Sequence, residues 1–364
     1  MRYFTVPSLH DLRLLLRLNV TLMVGAATAF GFLLAVPLPF GGGATPAGLA
    51  GGNPALALAW VVAGAMLLAA ACSAWNQVQE QDIDALLPRT AGRPLSTGRM
   101  MPWLAAGIGA LLFVPALGCL HAAGELAAVL ASGQAGSLLY DAVPGAAMSV
   151  LDSPVSGLWL LLVGVGIAGV YNGVYTPLKR ITSFALLPGA LVGAMPPLLG
   201  WMAAGGDPRD PVAILLYGVY VLWQVPHFWL RAQRESIHYQ RAGLPVPPAQ
   251  FAAARYARLL RVWYHAYAVA VLMLPVFPLL HSPLVRAGVV LLGVGLLVVS
   301  ALGRTMGGAM GEAGPDATGN VAGASHAAPA ASIPRREIIA LRAADAAMPA
   351  LMLLLLLDRM LPLF

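Results

Sequence analysis

The chain has 364 residues, of which 59% are hydrophobic and only 10% are charged. A soluble domain usually carries about a quarter charged residues, so this composition excludes an ordinary soluble globular protein. The formal net charge of +6 is spread over short loops, which argues against nucleic acid as a partner and for charges that orient helices in a lipid bilayer.

Apolar runs of about 20 residues recur along the chain, as in transmembrane helices. We predict an all-α, polytopic membrane protein with nine spans, at 18–40, 54–75, 102–121, 156–178, 185–204, 211–230, 260–280, 283–303 and 339–357. The predicted organisation is a cytoplasmic N-terminal lead-in at 1–17, a core of eight helices at 18–303, a flexible cytoplasmic linker at 304–334 and the ninth helix of the core at 335–364.

The basic residues of the loops lie almost entirely on one side of this topology. Threading nine spans leaves only Arg209, Arg286 and Arg359 on the opposite side. Loops rich in Lys and Arg stay in the cytoplasm, so we expect the N-terminus and the basic loops to be cytoplasmic. No organelle transit peptide is visible, and we therefore expect a bacterial inner membrane.

The stretch NQVQEQDIDALLPRTAGRPLSTGR, 76–99, follows the second apolar run and holds three of the 15 acidic residues. If the helix continues, Asn76, Glu80 and Asp84 share one face, because positions four apart drift by only about 40°. Oxygen-bearing side chains on one stripe suit Mg²⁺, which is normally shared with substrate phosphates. Carboxylates at a membrane edge are costly, and this favours function over a structural role.

Guanidinium groups follow the acids directly. Arg89 and Arg93 are forked donors suited to phosphate oxygens. Acids, Mg²⁺ and arginines at the membrane edge describe a site for a diphosphate with an apolar tail. The structural alternative is that the arginines only orient the helices, and we prefer that interpretation for Arg99.

Two further stretches are predicted on the same side of the membrane. In YNGVYTPLKR, 171–180, Lys179 and Arg180 are candidates to bind diphosphate. Tyr171 and Tyr175 share a helix face and are candidates to stabilise an allylic cation, although interfacial aromatic residues are an equally simple explanation.

The second stretch is LWQVPHFWLRAQRESIHYQRAGLP, 222–245. Here His227, Arg231 and Glu235 are spaced four apart on one helical stripe. A lone His is usually a packed or interfacial residue, but an ionisable residue within a span is also a functional candidate.

The chain resembles the UbiA superfamily of intramembrane prenyltransferases, and within it the protoheme IX farnesyltransferase (haem O synthase) branch. Three blocks carry the resemblance: N-x3-E-x-DID-x4-RT-x2-RPL at 76–95, YNGVYTPLKR with PGALVGAMPPLLGW at 171–201, and LWQVPHF with Y-x2-AGLPV at 222–246. They are spread over the second to sixth predicted spans.

The resemblance implies helices around a central cavity and farnesyl transfer from farnesyl diphosphate to a vinyl group of haem B, giving haem O. It also implies Mg²⁺ as cofactor and suggests association with haem A synthase or with terminal oxidase assembly. The implied roles are metal binding and catalysis for Asn76, Glu80 and Asp84, diphosphate binding for four basic residues, and a haem contact for His227. The basic residues are Arg89, Arg93, Lys179 and Arg180.

The sequence departs from the family pattern in two places. Glu80 stands where the family usually has Asp, and Ile237 and His238 stand where its second acidic motif usually carries Asp. Either Glu235, one turn earlier, substitutes as a metal ligand, or a second metal is weakly held, or the chain has changed substrate or lost activity.

Three alternatives to haem farnesylation therefore stay open. One is a UbiA enzyme that prenylates an aromatic quinone precursor. Another is a catalytically impaired haem-binding paralogue or carrier. The third is a transporter that couples ions through Glu80 and Asp84, but transporters tend to place such charges near the bilayer midplane.

Overall fold

The computed structural model describes residues 7–36, 53–132, 156–308 and 335–361. These residues form helices and connecting turns, with no strand among them. The α-helices of about two turns or more are α1 (Leu9–Leu15), α2 (Leu18–Ala35), α3 (Pro54–Leu86), α4 (Pro102–Ser132), α5 (Gly157–Ala168), α6 (Leu186–Gly193), α7 (Met195–Ala203), α8 (Pro211–Arg234), α9 (Ser236–Arg241), α10 (Ala253–Met273), α11 (Pro283–Gly308) and α12 (Arg335–Met360).

Within the described part of the chain, eight helical segments are long and apolar enough to cross a membrane. Two of them are composite. The segment Gly157–Leu178 joins α5 to a π-helix at Gly169–Tyr175, and Ser183–Ala203 joins α6 to α7. The protein is therefore a multi-pass, all-α membrane protein, as predicted.

The first eight of the nine predicted spans correspond to these eight segments, so the predicted count is approximate. The predicted ninth span lies in α12, which is not one of the eight and packs against α11, α8 and α2. Two predicted spans are longer than expected, since α3 continues to Leu86 and α4 to Ser132. Most of the predicted linker at 304–334 lies outside the described residues, and its first five residues extend α11.

The core has two halves. One gathers buried side chains from α2, α3, α4, α5 and α7, such as Leu68 and Leu120. The other lies among α8, α10, α11 and α12 and is built around large side chains such as Trp229 and Tyr264. Helix α2 contributes to both halves, because Phe32 belongs to the first and Phe30 to the second.

Helices α2 and α7 touch backbone to backbone. A Cβ atom on Gly31 would lie 1.9 Å from the Pro197 carbonyl oxygen, and one on Gly200 would lie 1.9 Å from the Thr28 carbonyl oxygen. Real atoms never approach so closely, so only glycine permits this crossing. The sequence places a glycine on each helix at the point of contact.

We expect Gly31→Ala to separate α2 from α7 and to lower the unfolding free energy by about 1–3 kcal/mol, the usual cost of overpacking. Thermal unfolding of the purified protein in detergent would measure the effect. Gly107→Ala in α4 is the matched control, since a Cβ there meets nothing within 4 Å. The control should leave stability unchanged or raise it by roughly 0.5–1 kcal/mol. Equal melting temperatures for the two variants would contradict the close-contact explanation.

Candidate active site

The polar stripe of α3 is buried as well as aligned. Asn76 is 1% exposed, Glu80 8% and Asp84 3%. The helix continues through all three positions, so the four-residue spacing places them along one line, as predicted. Ionised carboxylates are expensive to bury without partners, and each acid here has one.

Glu80 is paired with a lysine from another helix. Its Oε1 lies 2.8 Å from Lys179 Nζ, at the end of the span formed by α5 and the π-helix. The Lys179 ammonium also lies 4.3 Å from the centroid of the Tyr175 ring. Burial lowers the pKa of Lys179, but Tyr175 and Glu80 raise it more strongly, so its net pKa lies above the ordinary value. Lys179 is therefore a permanent cation at this site.

Asp84 is paired with Arg93 in the loop between α3 and α4, through a short Nη1–Oδ2 contact. Thr90 in the same loop donates its hydroxyl to the Asp84 carbonyl oxygen at 2.9 Å, which fixes the loop against the helix end. Burial lowers the pKa of Arg93, and the charges of Arg17 and Arg89 lower it further, against the opposing effect of Asp84. Burial is the main cause of the lowered pKa, and Arg17 and Arg89 add further positive charge beside Arg93.

Asn76 is oriented by a threonine. Its Nδ2 donates to Thr176 Oγ1 at 3.1 Å, and that hydroxyl donates to the Tyr171 carbonyl oxygen at 2.9 Å. With its nitrogen engaged, Asn76 presents its carbonyl oxygen as an acceptor along the stripe. Thr176 was not a predicted site residue, although it lies inside the YNGVYTPLKR block.

The π-helix at Gly169–Tyr175 widens the backbone where the fourth span passes the stripe. Such bulges occur frequently at functional sites. Here the Tyr171 and Tyr175 rings lie 5.3 Å apart, so the two tyrosines do share a face. The Tyr175 ring packs over Gly189 of α6, where a Cβ would come within 2.7 Å of it. Tyr175 is thereby wedged between α6 and Lys179.

Asn172, also in the π-helix, is 8% exposed. Its side-chain amide lies beside the Cys72 thiol and has no nitrogen or oxygen partner among the described residues. Its backbone oxygen accepts from Gln79 Nε2 at 2.9 Å. Asn172 was not a predicted site residue, although an amide side chain inside a predicted membrane span was a signal of function.

Arg180 and Gln77 have partners away from the stripe acids. Arg180 forms a bidentate pair with Asp82, with Nη1–Oδ2 at 2.9 Å and Nη2–Oδ1 at 2.7 Å. Gln77 donates to the carbonyl oxygens of Leu14 and Leu15, which attaches α1 to α3. The predicted diphosphate role of Arg180 thus stays a prediction, and Lys179 and Arg93 are the cations that touch the stripe acids.

Arg17 is an additional cation near this site. It connects α1 to α2 with φ of 47°, and among the described residues it is the one non-glycine with positive φ. Left-handed backbone is costly for such a residue and clusters at functional sites. Sequence reasoning took Arg17 only as an orientation signal, since nothing in the sequence indicates that α1 folds back towards Arg93.

The second acidic region approaches from α8 and α9. Arg89 Nη2 lies 3.5 Å from the Tyr239 hydroxyl, which joins the α3–α4 loop to α9. Glu235 ends α8 and makes no side-chain hydrogen bond or ion pair with a described residue.

His227, two turns before the end of α8, has its Nδ1 2.8 Å from Asp345 Oδ1 of α12. Asp345 was not predicted, although an acid within a predicted span is a signal of function.

The donors on α3 fit Mg²⁺. They are two carboxylates and one amide oxygen, the hard oxygen ligands that this ion prefers. Among the described residues no group of three or more His, Cys, Asp or Glu side chains is close enough to hold a metal ion by itself. An ion would therefore keep water or substrate oxygens as its other ligands. Since Glu235 is not gathered into one group with Glu80 and Asp84, its role as metal ligand stays a prediction for a separate ion.

Comparison with known proteins identifies the family. The pattern of the UbiA prenyltransferase family matches residues 36–143 and 142–307. A relative from Nitratidesulfovibrio vulgaris strain DP4, named protoheme IX farnesyltransferase, is 40% identical over 97% of this chain and 96% of its own. A relative of the same name from Oleidesulfovibrio alaskensis is 41% identical over 79% of this chain and 84% of its own.

Solved structures agree on the fold. A structure of digeranylgeranylglyceryl phosphate synthase is 11% identical and has a TM-score of 0.65, covering 96% of this chain and 98% of its own. A UbiA homologue from Archaeoglobus fulgidus, bound to GPP and Mg²⁺, is 12% identical and has a TM-score of 0.56, covering 96% of this chain and 100% of its own. The chain belongs to the UbiA prenyltransferase family.

Proposed function

We propose that this enzyme transfers the farnesyl group of farnesyl diphosphate to a vinyl group of haem B, with addition of water, to give haem O and diphosphate. The observation that carries the proposal is the buried stripe of oxygen donors suited to Mg²⁺, whose acids are paired with cations. This stripe lies in a chain that is 40% identical, over 97% of its length, to a protein named protoheme IX farnesyltransferase. Haem as the acceptor substrate is proposed from the names of the relatives. Diphosphate as the leaving group is proposed from the charges of the site.

The reaction breaks the bond between the allylic carbon and the diphosphate oxygen, and the electron pair leaves with diphosphate. The allylic carbon bonds to the terminal carbon of the vinyl group, water adds its oxygen to the other vinyl carbon, and one proton is released. The site must therefore stabilise negative charge on the leaving group and positive charge on the hydrocarbon.

Asn76, Glu80 and Asp84 would hold Mg²⁺, which supplies Lewis-acid stabilisation of the leaving diphosphate. Lys179 and Arg93 contact the acids of the same stripe, so they are the charged donors we assign to diphosphate oxygens. Arg89 extends the cationic rim towards Tyr239. The farnesyl tail is apolar and would lie among the membrane helices, where Tyr171 and Tyr175 present aromatic faces to positive charge.

We place the site on the cytoplasmic side of a bacterial inner membrane. The support is the excess of Lys and Arg in the loops at this end of the helices, together with the bacterial origin of the relatives. Association with haem A synthase or with terminal oxidase assembly stays a prediction from the resemblance.

A haem-binding protein without transferase activity is the second candidate. Ile237 and His238 occupy α9 where the family usually has acidic residues, and this observation favours it. The quinone alternative has no comparable support, because the relatives named above carry a haem substrate in their names.

The purified protein in lipid nanodiscs should convert haem B and farnesyl diphosphate into a farnesylated, hydrated haem when Mg²⁺ is present, as detected by mass spectrometry. Chelation of Mg²⁺ should stop the reaction. Asp84→Ala should lower the rate by on the order of 10²-fold or more, because a leaving-group stabiliser is lost.

Asp207→Ala is the matched control for that experiment, since Asp207 is exposed and, among the described residues, its side chain pairs with Arg209. It should leave the rate unchanged. Bound haem with no product from the unaltered protein would overturn the transferase proposal and favour the second candidate. A product that carries a prenyl group on an added quinone precursor but not on haem would favour the quinone alternative.

Thr176→Val should raise the Mg²⁺ concentration needed for half-maximal activity by roughly 10–100-fold, the usual loss when a group that orients a metal ligand is removed. The isosteric Val cannot accept from Asn76, whereas Thr176→Ser keeps the hydroxyl and should behave as the unaltered protein. Mg²⁺ titrations of the transfer rate would show the difference. If Val and Ser variants share one Mg²⁺ dependence, Thr176 does not orient Asn76 for the metal.

A further inference from the structure

The imidazole of His227 is held by a carboxylate from a distant part of the chain. Nδ1 lies 2.8 Å from Asp345 Oδ1, and this contact joins α8 to α12. An ionised carboxylate can only accept, so Nδ1 carries the hydrogen and donates it. In the neutral ring, Nε2 is then left with its lone pair as the accepting nitrogen.

The plane of the ring is fixed by a second contact. Trp223, one turn earlier in α8, stacks on His227 with ring centroids 5.0 Å apart and an interplanar angle of 29°. The His227 side chain remains 29% exposed, and its Nε2 makes no hydrogen bond with a described residue. One nitrogen is thus anchored, one face is covered, and the other nitrogen has no hydrogen-bond partner among the described residues.

The neighbouring His–Asp pair at the other end of α12 is built differently. Asp358 is 3% exposed, and its oxygens accept from the backbone N–H groups of His281 and Ser282, each at 2.8 Å. The imidazole of His281 is a weaker partner at 3.2 Å, so Asp358 mainly fixes the backbone at the start of α11. Asp345 has no such backbone donor among the described residues, and its described hydrogen bond goes to the imidazole alone.

A carboxylate that fixes a histidine through Nδ1 is the arrangement found behind histidines that ligate metals through Nε2. The substrate in the proposed function carries an iron atom with open axial positions. We infer that Asp345 is a positioning residue, which holds His227 so that Nε2 binds the iron of the haem substrate. This inference rests on the proposed function and adds the mode of haem recognition to it.

Anchoring through iron would fix the distance of the porphyrin from α8. The vinyl groups lie at the porphyrin edge, so an axial bond at the centre leaves them accessible to the allylic carbon. Asp345 then acts on haem through His227, whereas the α3 stripe has its own described partners, Lys179 and Arg93.

The test compares haem B with metal-free protoporphyrin IX, which has the same vinyl groups but no iron. Both are titrated into the purified protein in nanodiscs, haem by its Soret absorption and electron paramagnetic resonance spectrum, and the free porphyrin by fluorescence. We expect an imidazole-ligated iron spectrum in the unaltered protein. His227→Ala should abolish it, and added imidazole should restore it.

Asp345→Asn should weaken haem binding by roughly 10–100-fold, the usual cost of losing a carboxylate behind a metal-binding histidine, and leave protoporphyrin IX binding unchanged. A role limited to joining α8 with α12 would change both titrations equally or neither. His281→Ala is the matched control, because it removes an imidazole from the other His–Asp pair, and it should leave the iron spectrum unaltered.

Haem ligated with the same spectrum in His227→Ala and in the unaltered protein would overturn the inference. Equal losses of haem and protoporphyrin IX in Asp345→Asn would overturn the positioning role. Haem O formed without any ligated-iron spectrum would overturn the inference alone and leave the proposed function standing. If the unaltered protein neither binds haem nor forms product, both the inference and the proposed function are overturned.

Discussion

The structure depends on two buried ion pairs, Glu80 with Lys179 and Asp84 with Arg93. A carboxylate inside a membrane protein is stable only if an opposite charge and hydrogen bonds replace its lost hydration. Each pair therefore determines where its neighbours lie. Lys179 must arrive beside α3 at the end of the fourth span, and the loop after α3 must fold back to bring Arg93 to Asp84. The π-helix and the tight packing of Tyr175 over Gly189 help to position Lys179, which follows them in the chain, beside Glu80.

The same pairs suit the proposed substrates. A diphosphate with Mg²⁺ brings both signs of charge, so acids and bases each gain a partner when it binds, and neither is left uncompensated. Buried pairs contribute little net stability in many proteins, because desolvation offsets their attraction. A site of this kind is therefore retained for function more readily than for stability. Arg17 and Arg89 add positive charge near Arg93. This charge lowers the pKa of Arg93 further and favours the binding of an anion.

The sequence predicted most of the fold and the line of the α3 donors, because hydropathy and a four-residue period are local properties. It placed Asn76, Glu80 and Asp84 on one stripe before any helix contact was known. What it missed are contacts between residues far apart in sequence. Thr176 meets Asn76 across 100 positions, and Asp345 meets His227 across 118. Arg180 and Lys179 are adjacent in sequence but pair with different acids, and only helix packing decides which cation faces the stripe.

Helix α8 connects the two ends of the proposed reaction. It carries His227 and, eight residues later, Glu235, which corresponds to about 12 Å along a helix. Arg89, which we propose as a diphosphate contact, lies 3.5 Å from the Tyr239 hydroxyl just beyond that end. A haem bound at His227 would thus lie about two helical turns from the second acidic region. In this geometry, Ile237 and His238 in place of Asp would weaken the proposed diphosphate site and leave the proposed haem contact intact. We therefore expect haem binding and transfer to be separable in this chain, because the proposed haem contact and the second acidic region lie at different positions along α8.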